Sequence, residues 1–435
     1  MRTKPGIHVR LLVTAVTTVG LVGMLPASMV SAQSPAAAGG QSVTVLTDWG
    51  ADSTDQVKFE EITKAFTAKT GIEVQLDGSS DILTLLHTRV AAGEAPMVAI
   101  VPRPGIYADY ANQGALKSLD DLGVAGFAGS YQPAWVDLGS VAGVPYAITV
   151  KANSKSMIWD RPADLAAAGG APATLDAFEA MMTTMAASGK KPLVITAKDS
   201  WTLTDWFENI YFRTAGPQKY ADLFGGKLPF TDQSVVDALA IVDKLIGSDV
   251  WVNGGRQIAL STGYQDGLAE VFGTSPVADF FMEGGFTGSV AINDVNPALV
   301  AGKDIAFFPF PDIDPQYANS VVGGGDFAIA FSDADPAKQF MQYLATPEAA
   351  SVWAANGVIS PNKSLDLTTF TDPLVKAEAE QLTSAKLFAF DGSDLLPGAL
   401  GDLWPTTLQG IYEDPSTTAD QLAAFDSQAA SEFGR

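Results

Sequence analysis

Cysteine, histidine and positive charge are the scarce components of this sequence. Cysteine is absent from its 435 residues, which excludes disulfides, thiolate nucleophiles and cysteine-ligated metals. Only two histidines occur, His8 and His87, so histidine-based catalysis and histidine zinc sites are nearly excluded. The chain has 26 Lys and Arg against 49 Asp and Glu, and this net charge of −23 argues against binding nucleic acid or an anionic membrane surface.

The rest of the composition is that of a well-packed globular protein. Hydrophobic residues make up 47% of the chain and charged residues 17%, so the sequence is too apolar to be disordered. Single hydrophobic cores rarely extend beyond about 250–300 residues. The length therefore predicts two domains.

The N-terminus has the order of a secretory signal peptide. Positive charges at Arg2, Lys4 and Arg10 precede an apolar run over residues 11–30, and small residues follow up to Ala32. We expect residues 1–32 to be a signal peptide cleaved near Ala32, and residues 33–41 to be a linker. An uncleaved membrane anchor is the alternative, because the run is long enough to span a bilayer. No cysteine follows the run, so we expect an extracytoplasmic protein, periplasmic, secreted or associated with the cell surface, that is not a lipoprotein.

Beyond the linker, strands and helices alternate. Apolar, β-branched segments at residues 42–48, 72–76 and 97–101 predict strands. Helical spacing at residues 55–70 and 82–92 predicts the helices between them, and Gly71 is expected to end the first helix. Later segments predict strands at residues 193–196 and 326–331, helices at residues 233–246 and 373–384, and a turn at residues 102–105. This alternation predicts an α/β fold with a parallel sheet covered by helices.

Six segments together resemble the extracellular solute-binding proteins of ABC sugar importers, a large carbohydrate-binding family, and in particular its α-glucoside-binding branch. The segments are GALKSL at residues 114–119, VPY at 144–146, TDWFE at 204–208, GGGD at 323–326, ISPNK at 359–363 and FDGSDLLP at 390–397. They occur in the family's order over nearly the whole chain. The lipid-anchor cysteine of Gram-positive relatives is missing.

The resemblance implies a two-lobed periplasmic-binding-protein fold of type II, with two mostly parallel sheets, flanking helices and a hinge. It implies one lobe of residues 41–150 plus 312–358 and another of residues 151–311 plus 359–435. The implied function is to bind an α-glucoside, a di- or oligosaccharide, between the lobes and to deliver it to an ABC permease by hinge closure. The protein would be a monomer without enzymatic activity, cofactor or metal.

Sugar binding needs hydrogen-bonding side chains for the hydroxyls and a flat aromatic ring for the C–H face. Ligands of open α/β sheets lie beyond the carboxyl ends of the strands. Acids, an arginine and aromatic residues at strand ends, helix starts and glycine-rich loops are therefore the candidates. They are Trp49, Asp81, Arg103, Trp201, Asp205, Glu283 and Asp326, together with Asp391, Asp394 and Trp404, which lie in a region that supplies an acid and a stacking aromatic in the resembling family.

Three other interpretations remain open from the sequence. A secreted glycoside hydrolase would need two carboxylates flanking one bond, and 49 acids can form such pairs by chance. The same fold could bind a polyamine, which would suit the many acids. A secreted sensor that presents sugar to a receptor would have the same sequence features as an importer component.

Overall fold

The computed structural model of the protein describes residues 41–50, 53–79, 81–124, 126–131 and 133–434. The predicted signal peptide and all but the last residue of the predicted linker lie outside these residues. Residues 41–435 form one compact unit. No helix in the described ranges is long and apolar enough to cross a membrane.

The elements alternate along the chain in the order expected of an α/β protein. The strands are β1 (Ser42–Thr47), β2 (Glu73–Gly78), β3 (Val98–Val101), β4 (Ser140–Val141), β5 (Val144–Pro145), β6 (Ala147–Ser154), β7 (Met157–Asp160), β8 (Phe280–Met282), β9 (Ala306–Pro309), β10 (Ser320–Ala330) and β11 (Leu387–Phe390). The α-helices are α1 (Thr54–Thr70), α2 (Ile82–Ala91), α3 (Pro104–Asn112), α4 (Phe127–Ser130), α5 (Pro133–Leu138), α6 (Pro162–Ala167), α7 (Leu175–Ala187), α8 (Trp201–Phe224), α9 (Gln233–Ile246), α10 (Gly255–Ala259), α11 (Tyr264–Phe272), α12 (Phe286–Val290), α13 (Asp335–Leu344), α14 (Pro347–Ala355), α15 (Pro373–Ser384), α16 (Leu400–Glu413) and α17 (Thr418–Glu432). A short 3-10 helix, Ser393–Leu395, follows β11.

The larger sheet has six strands and is organised around β10. Strand β1 pairs in parallel with β2 and β3, as the alternation predicts. The second half of β10 pairs antiparallel with β3, its first four residues pair in parallel with β11, and β6 runs antiparallel along its other side. All eleven residues of β10 are buried. One sheet therefore fixes the positions of the carboxyl ends of β1 and β6 and of Asp326 within β10.

The smaller sheet differs from the expectation of two mostly parallel sheets. Its three strands have the order β8-β7-β9, and both pairings of the central β7 are antiparallel. Hydrophobic pattern predicts that a strand is buried but not its direction, which is set by where the connecting chain crosses. A further expected strand at residues 193–196 forms only isolated bridges, between Leu193 and both Val252 and Phe280.

Helix α1 ends as its sequence predicts. Gly71 has a φ of 76°, a left-handed conformation that glycine adopts without strain, and its amide donates to the Thr67 carbonyl. At the other end Ser53 caps the helix by accepting a hydrogen bond from the Gln56 amide. The Gly71 prediction is confirmed, and the helix presents Phe59, Ile62 and Phe66 to the core.

Buried apolar side chains form two large clusters. The first draws on residues 43–152 and 327–358, together with Phe390. The second draws on residues 158–322 and 396–429. Strand β6 ends between the two clusters, so its last residues lie where the chain passes from one to the other. The predicted lobe boundaries themselves stay a prediction.

Candidate functional site

A cavity of about 710 Å³ lies at the carboxyl end of β1. Its wall is built from that strand end, the start of α1, the end of β6, the segment around α12, the end of α14, and α15. The charged, amide and aromatic side chains that line it include Asp48, Trp49, Asp55, Lys58, Lys151, Asn153, Phe286, Asn293, Asp294, Asp372 and Glu378. The volume falls within the range of about 300–1,000 Å³ that is usual for small-molecule sites.

Trp49 provides an aromatic wall of the cavity. Its ring packs edge-on against Phe59, with centroids 5.3 Å apart, and against Trp353 at 5.9 Å. These contacts leave the side chain 7% exposed and hold the ring in one orientation. The Lys151 ammonium lies 5.6 Å from the ring centroid. A rigid ring beside a charged group is suited to stacking against the C–H face of a sugar while a hydroxyl is bound beside it.

Lys151 is the centre of a group that we call the Lys151 cluster, made up of Asp48, Asp55, Lys151 and Asp326. The ammonium lies 2.7 Å from Asp55 Oδ2 and 3.3 Å from Asp326 Oδ2. Burial lowers the pKa of Lys151, but Asp326 and Asp55 outweigh burial, so the pKa is raised overall and the lysine stays charged. Burial, and next the charge of Asp326, raise the pKa of Asp48 well above its usual range.

Four residues further along, Lys155 is the centre of a second group, the Lys155 cluster. It contains Lys155, Asp205, Asp391 and Asp394. The ammonium contacts Asp391 Oδ2, and it lies 3.5 Å from Asp205 Oδ1 and 4.0 Å from Asp394 Oδ2. Burial raises the pKa of Asp394 to about 7, with the charge of Asp391 as the next cause. Burial works against ionisation of Asp391 too, but Lys155 outweighs it and the pKa of Asp391 is lowered.

Glu283 adds a second acid beside Asp205. Both side chains are fully buried, and neither carboxyl group accepts a hydrogen bond from a described N–H or O–H group. Burial raises the pKa of Asp205 to about 6, and burial, followed by the charge of Asp205, raises the pKa of Glu283 well above its usual range. The two neighbouring buried acids therefore oppose each other's ionisation.

Arg103 connects the Lys155 cluster to the start of α3. Its Nε lies 3.3 Å from Asp394 Oδ1, and its Nη1 lies 3.7 Å from Asp402 Oδ1. Arg103 is the residue immediately before α3, which begins at Pro104 where the sequence predicts only a turn. Four of the predicted site residues, Arg103, Asp205, Asp391 and Asp394, thus meet in one polar group.

Trp201 contributes a second aromatic surface near the cavity. It begins α8, it is 38% exposed, and its ring lies 5.5 Å from Tyr264 and 6.1 Å from Phe286. Because Phe286 lines the cavity, this aromatic group borders it. Asp205 lies one helical turn after Trp201, so α8 carries both an aromatic and an acid toward the same region.

Of the ten predicted site residues, Trp49 lines the cavity, whereas Asp81 and Trp404 belong neither to its lining nor to the two lysine clusters. Asp81 is exposed at the start of α2, outside the cavity lining, and its side chain makes no capping hydrogen bond to that helix. Trp404 is 0% exposed and packs against Phe207, Phe230 and Phe425 at centroid distances of 4.7–5.3 Å. A ring with both faces covered by core residues has no surface for a sugar, so the site proposed below omits Trp404.

Lys151, Asn153 and Lys155 were not among the site residues predicted from the sequence. A signal was present, because these polar residues recur at every second position, and in a strand such positions face the same side. Asn153 Oδ1 accepts the Gly324 amide at 3.0 Å, which joins β6 to β10 between the two lysine clusters. Phe286 was also missed, and its position directly after Gly284 and Gly285 gave no periodic signal.

Among the described residues no group of three or more acids and histidines is arranged to hold a metal ion.

Similar solved structures show the fold of the protein. The bacterial solute receptor AcbH, described as preferring β-D-galactopyranose, aligns with a TM-score of 0.78 over 91% of this chain and 100% of its own, at 19% identity. RafE from Streptococcus pneumoniae aligns with a TM-score of 0.72 over 90% of this chain and 98% of its own, at 18% identity. The fold is therefore that of a two-lobed solute-binding protein, as the sequence predicts.

Sequence comparison then shows the family. Residues 50–351 match the bacterial extracellular solute-binding protein family, and the chain belongs to it. The osmoprotective compounds-binding protein GgtB of Synechocystis is 34% identical over 80% of this chain and 83% of its own. The α-glucosides-binding periplasmic protein AglE of Rhizobium meliloti is 30% identical over 83% of this chain and 81% of its own. Both relatives are binding proteins, and the chain is a substrate-binding component of an ABC transporter for sugars or similar solutes.

Proposed function

We propose that this protein binds an α-glucoside, a di- or oligosaccharide, in the 710 Å³ cavity. The observation that carries the proposal is the combination of a rigid aromatic wall at Trp49 with the charged hydrogen-bonding groups of the Lys151 cluster. Sugar hydroxyls form strong hydrogen bonds with ionised side chains, whereas the sugar's C–H face packs against an aromatic ring. The name of AglE supports α-glucosides as the first solutes to test.

The geometry favours an uncharged solute over a polyamine. Lys58 and Lys151 both line the cavity, so an incoming ammonium group would face two positive charges. The carboxylates nearest to Lys151 are already paired with it, at 2.7 Å for Asp55 and 3.3 Å for Asp326. The other acids that line the cavity are Asp48, Asp294, Asp372 and Glu378, and a polyamine could pair with them, which is why polyamines belong in the test as the second ligand class.

A hydrolytic role fits the same groups poorly. Glycosidases hold their two carboxyl groups about 5–9.5 Å apart, so that the sugar or a water molecule fits between them. The neighbouring acids Asp205 and Glu283 are 0% exposed and lie outside the cavity lining. This pair therefore cannot flank a glycosidic bond of a sugar held in the cavity.

We also propose how binding is coupled to transport. The lobes are residues 41–150 plus 312–358 and residues 151–311 plus 359–435, and the solute contacts side chains from both, such as Trp49 and Phe286. A ligand that touches both lobes stabilises the closed form by its differential affinity. The closed monomer then presents its surface to an ABC permease outside the cytoplasm, after the signal peptide is cleaved near Ala32 and without a lipid anchor. A sensor role is distinguished by whether cells lacking the protein lose sugar uptake.

The test is calorimetric titration with maltose, trehalose, sucrose, maltodextrins and a polyamine set. We expect saturable binding of at least one α-glucoside and none of the polyamines. Asp55→Asn should raise the dissociation constant Kd at least about tenfold, because it removes a charged acceptor from the cavity.

Asp164→Asn is the matched control. Asp164 is paired with Arg161 at 2.5 Å and its side chain is 39% exposed, close to the 33% of Asp55, but Asp164 does not line the cavity. Its Kd should stay within about twofold of wild type. Absence of binding to every sugar, or equal effects of the two substitutions, would contradict the proposed function.

A further inference from the structure

Glu208 is a buried acid that lies outside the cavity lining and has no part in the site described above. It is the last residue of the TDWFE segment, it lies within α8, and it is 0% exposed. A charged or polar side chain buried to this degree needs several hydrogen bonds to be tolerated. Its partners therefore indicate what the residue does.

The partners of Glu208 all belong to, or contact, the loop that follows β11. Its Oε2 accepts the Gly392 amide at 2.6 Å, and its Oε1 accepts the Ser393 amide at 2.9 Å. Tyr220 hydrogen-bonds to Oε2 as well, and the same hydroxyl lies 2.8 Å from the Gly392 amide and 3.1 Å from the Phe390 carbonyl. One carboxyl group and one phenol thus hold three backbone positions at the strand end and in the loop, at Phe390, Gly392 and Ser393.

The loop held in this way carries two of the three acids of the Lys155 cluster, Asp391 and Asp394. Asp391 accepts hydrogen bonds from the Ser393 hydroxyl at 2.6 Å and the Asp394 amide at 3.2 Å, and it contacts Lys155. Asp394 reaches Arg103 at 3.3 Å. Movement of Gly392 and Ser393 would therefore displace both acids at once.

The fit at Gly392 leaves the loop little freedom. A Cβ atom at this position would lie 2.1 Å from the Phe224 ring, so only glycine allows the loop to pack against α8 here. The φ of Gly392 is −71°, an ordinary value, so the requirement is for close approach and not for an unusual backbone conformation.

We propose that Glu208 is a positioning residue for solute binding, which fixes the loop of residues 390–394 so that Asp391 and Asp394 face Lys155 and Arg103. The carboxyl group acts through the backbone of the loop and does not contact the solute. The effect on affinity depends on the proposed function of the protein, whereas the anchoring of the loop does not.

The test compares Glu208→Ala with Asp426→Ala. Asp426 makes the same kind of contact elsewhere, because it accepts the consecutive amides of Phe230 at 2.7 Å and Thr231 at 2.8 Å. Two quantities are measured for each variant: amide hydrogen exchange in a peptide covering residues 390–396, and the Kd for the α-glucoside that wild type binds best.

We expect Glu208→Ala to speed exchange in that peptide and to raise Kd, each at least about tenfold. Asp426→Ala should leave both within about twofold of wild type, even where it lowers the melting temperature. Glu208→Gln keeps one carbonyl acceptor and should recover part of both losses. Tyr220→Phe removes only one oxygen, so it provides the same test if Glu208→Ala does not fold, with smaller changes in the same direction.

Three results would overturn the proposal. Unchanged exchange in residues 390–396 would show that Glu208 does not anchor the loop. Faster exchange with an unchanged Kd would show that the loop's position does not matter for binding. If Asp426→Ala raised Kd as much as Glu208→Ala does, Glu208 would contribute only to general stability. If wild type binds no sugar, the proposed function fails, and the exchange measurement still decides whether Glu208 anchors the loop.

Discussion

The two lysine clusters lie four residues apart at the end of β6 but differ in how their acids meet water. Lys151 and Lys155 are 17% and 14% exposed as side chains, so the two ammonium groups are almost equally buried. The acids beside Lys151 are 33% exposed for Asp55 and 10% exposed for Asp326.

The acids beside Lys155 are 0% exposed for Asp205, 1% for Asp391 and 25% for Asp394. The accessibility of Asp55 makes the Lys151 cluster suited to contact a solute. In the Lys155 cluster Asp205 and Asp391 are suited to hold the structure together, and Asp394 is the acid that water can reach.

The largest effect should come from removing the two lysines in turn. Lys155→Met leaves Asp205 and Asp391 buried without a cation, and breaking such a buried pair typically costs about 3–5 kcal/mol of the free energy of unfolding. Lys151→Met should cost about 1–3 kcal/mol, because water can reach Asp55. Urea unfolding of both variants measures the difference. An equal loss of stability for the two would remove the distinction between the clusters.

The next largest effect compares Trp201, an aromatic residue beside the cavity, with Trp404, an aromatic residue in the core. Trp201→Ala should raise the Kd for the bound sugar about tenfold with a small change in stability, because the ring is 38% exposed beside Phe286. Trp404→Phe should lower the free energy of unfolding by about 1–3 kcal/mol and leave Kd within about twofold. Titration and thermal unfolding on the same samples separate the two outcomes. Loss of binding only in Trp404→Phe would restore Trp404 to the site.

The smallest effect is the response of stability to pH. Burial raises the pKa of Asp160 to about 7, that of Asp205 to about 6 and that of Asp394 to about 7. The folded state therefore keeps protons that the unfolded state releases above about pH 4. Between about pH 4 and pH 7 the folded state binds more protons than the unfolded state, so the free energy of unfolding falls as pH rises.

Asp160→Asn isolates one of these groups, because Asp160 belongs to neither cluster. Both of its carboxylate oxygens are buried without a described hydrogen-bond donor. The variant should recover about 1–3 kcal/mol of stability at pH 8 and show a shallower pH dependence. A melting temperature that rises from pH 5 to pH 8 in wild type would contradict the signs of these pKa shifts.

The local structure of the chain was largely readable from its sequence. The predicted helices at residues 233–246 and 373–384 coincide with α9 and α15, since each begins after a capping aspartate and carries a clear apolar face. Strand β10 was predicted only from residue 326, although it begins at Ser320. Glycines 323–325 interrupt the strand signal in the sequence. Pairing with β6 and β11 overrides their low strand propensity.

The site was harder to predict because its contacts join distant parts of the chain. The candidates Asp205, Asp391 and Asp394 do meet, but the residue that joins them is Lys155, which lies 50 residues or more from each of them in sequence. Alternation along one strand indicates that Lys151 and Lys155 share a face, but it does not indicate which acids pack against them. Trp404 shows the opposite problem, because an aromatic residue in a helix has the same local pattern whether it faces a ligand or the core.

The most direct test of the central claim is a crystal structure of the protein with the α-glucoside that titration selects. We predict sugar density in the cavity, with one ring stacked against Trp49 and hydroxyls within hydrogen-bond distance of Asp55, Lys151 or Asn153. Sugar bound at any other place in the molecule, with this cavity holding only water, would contradict the account.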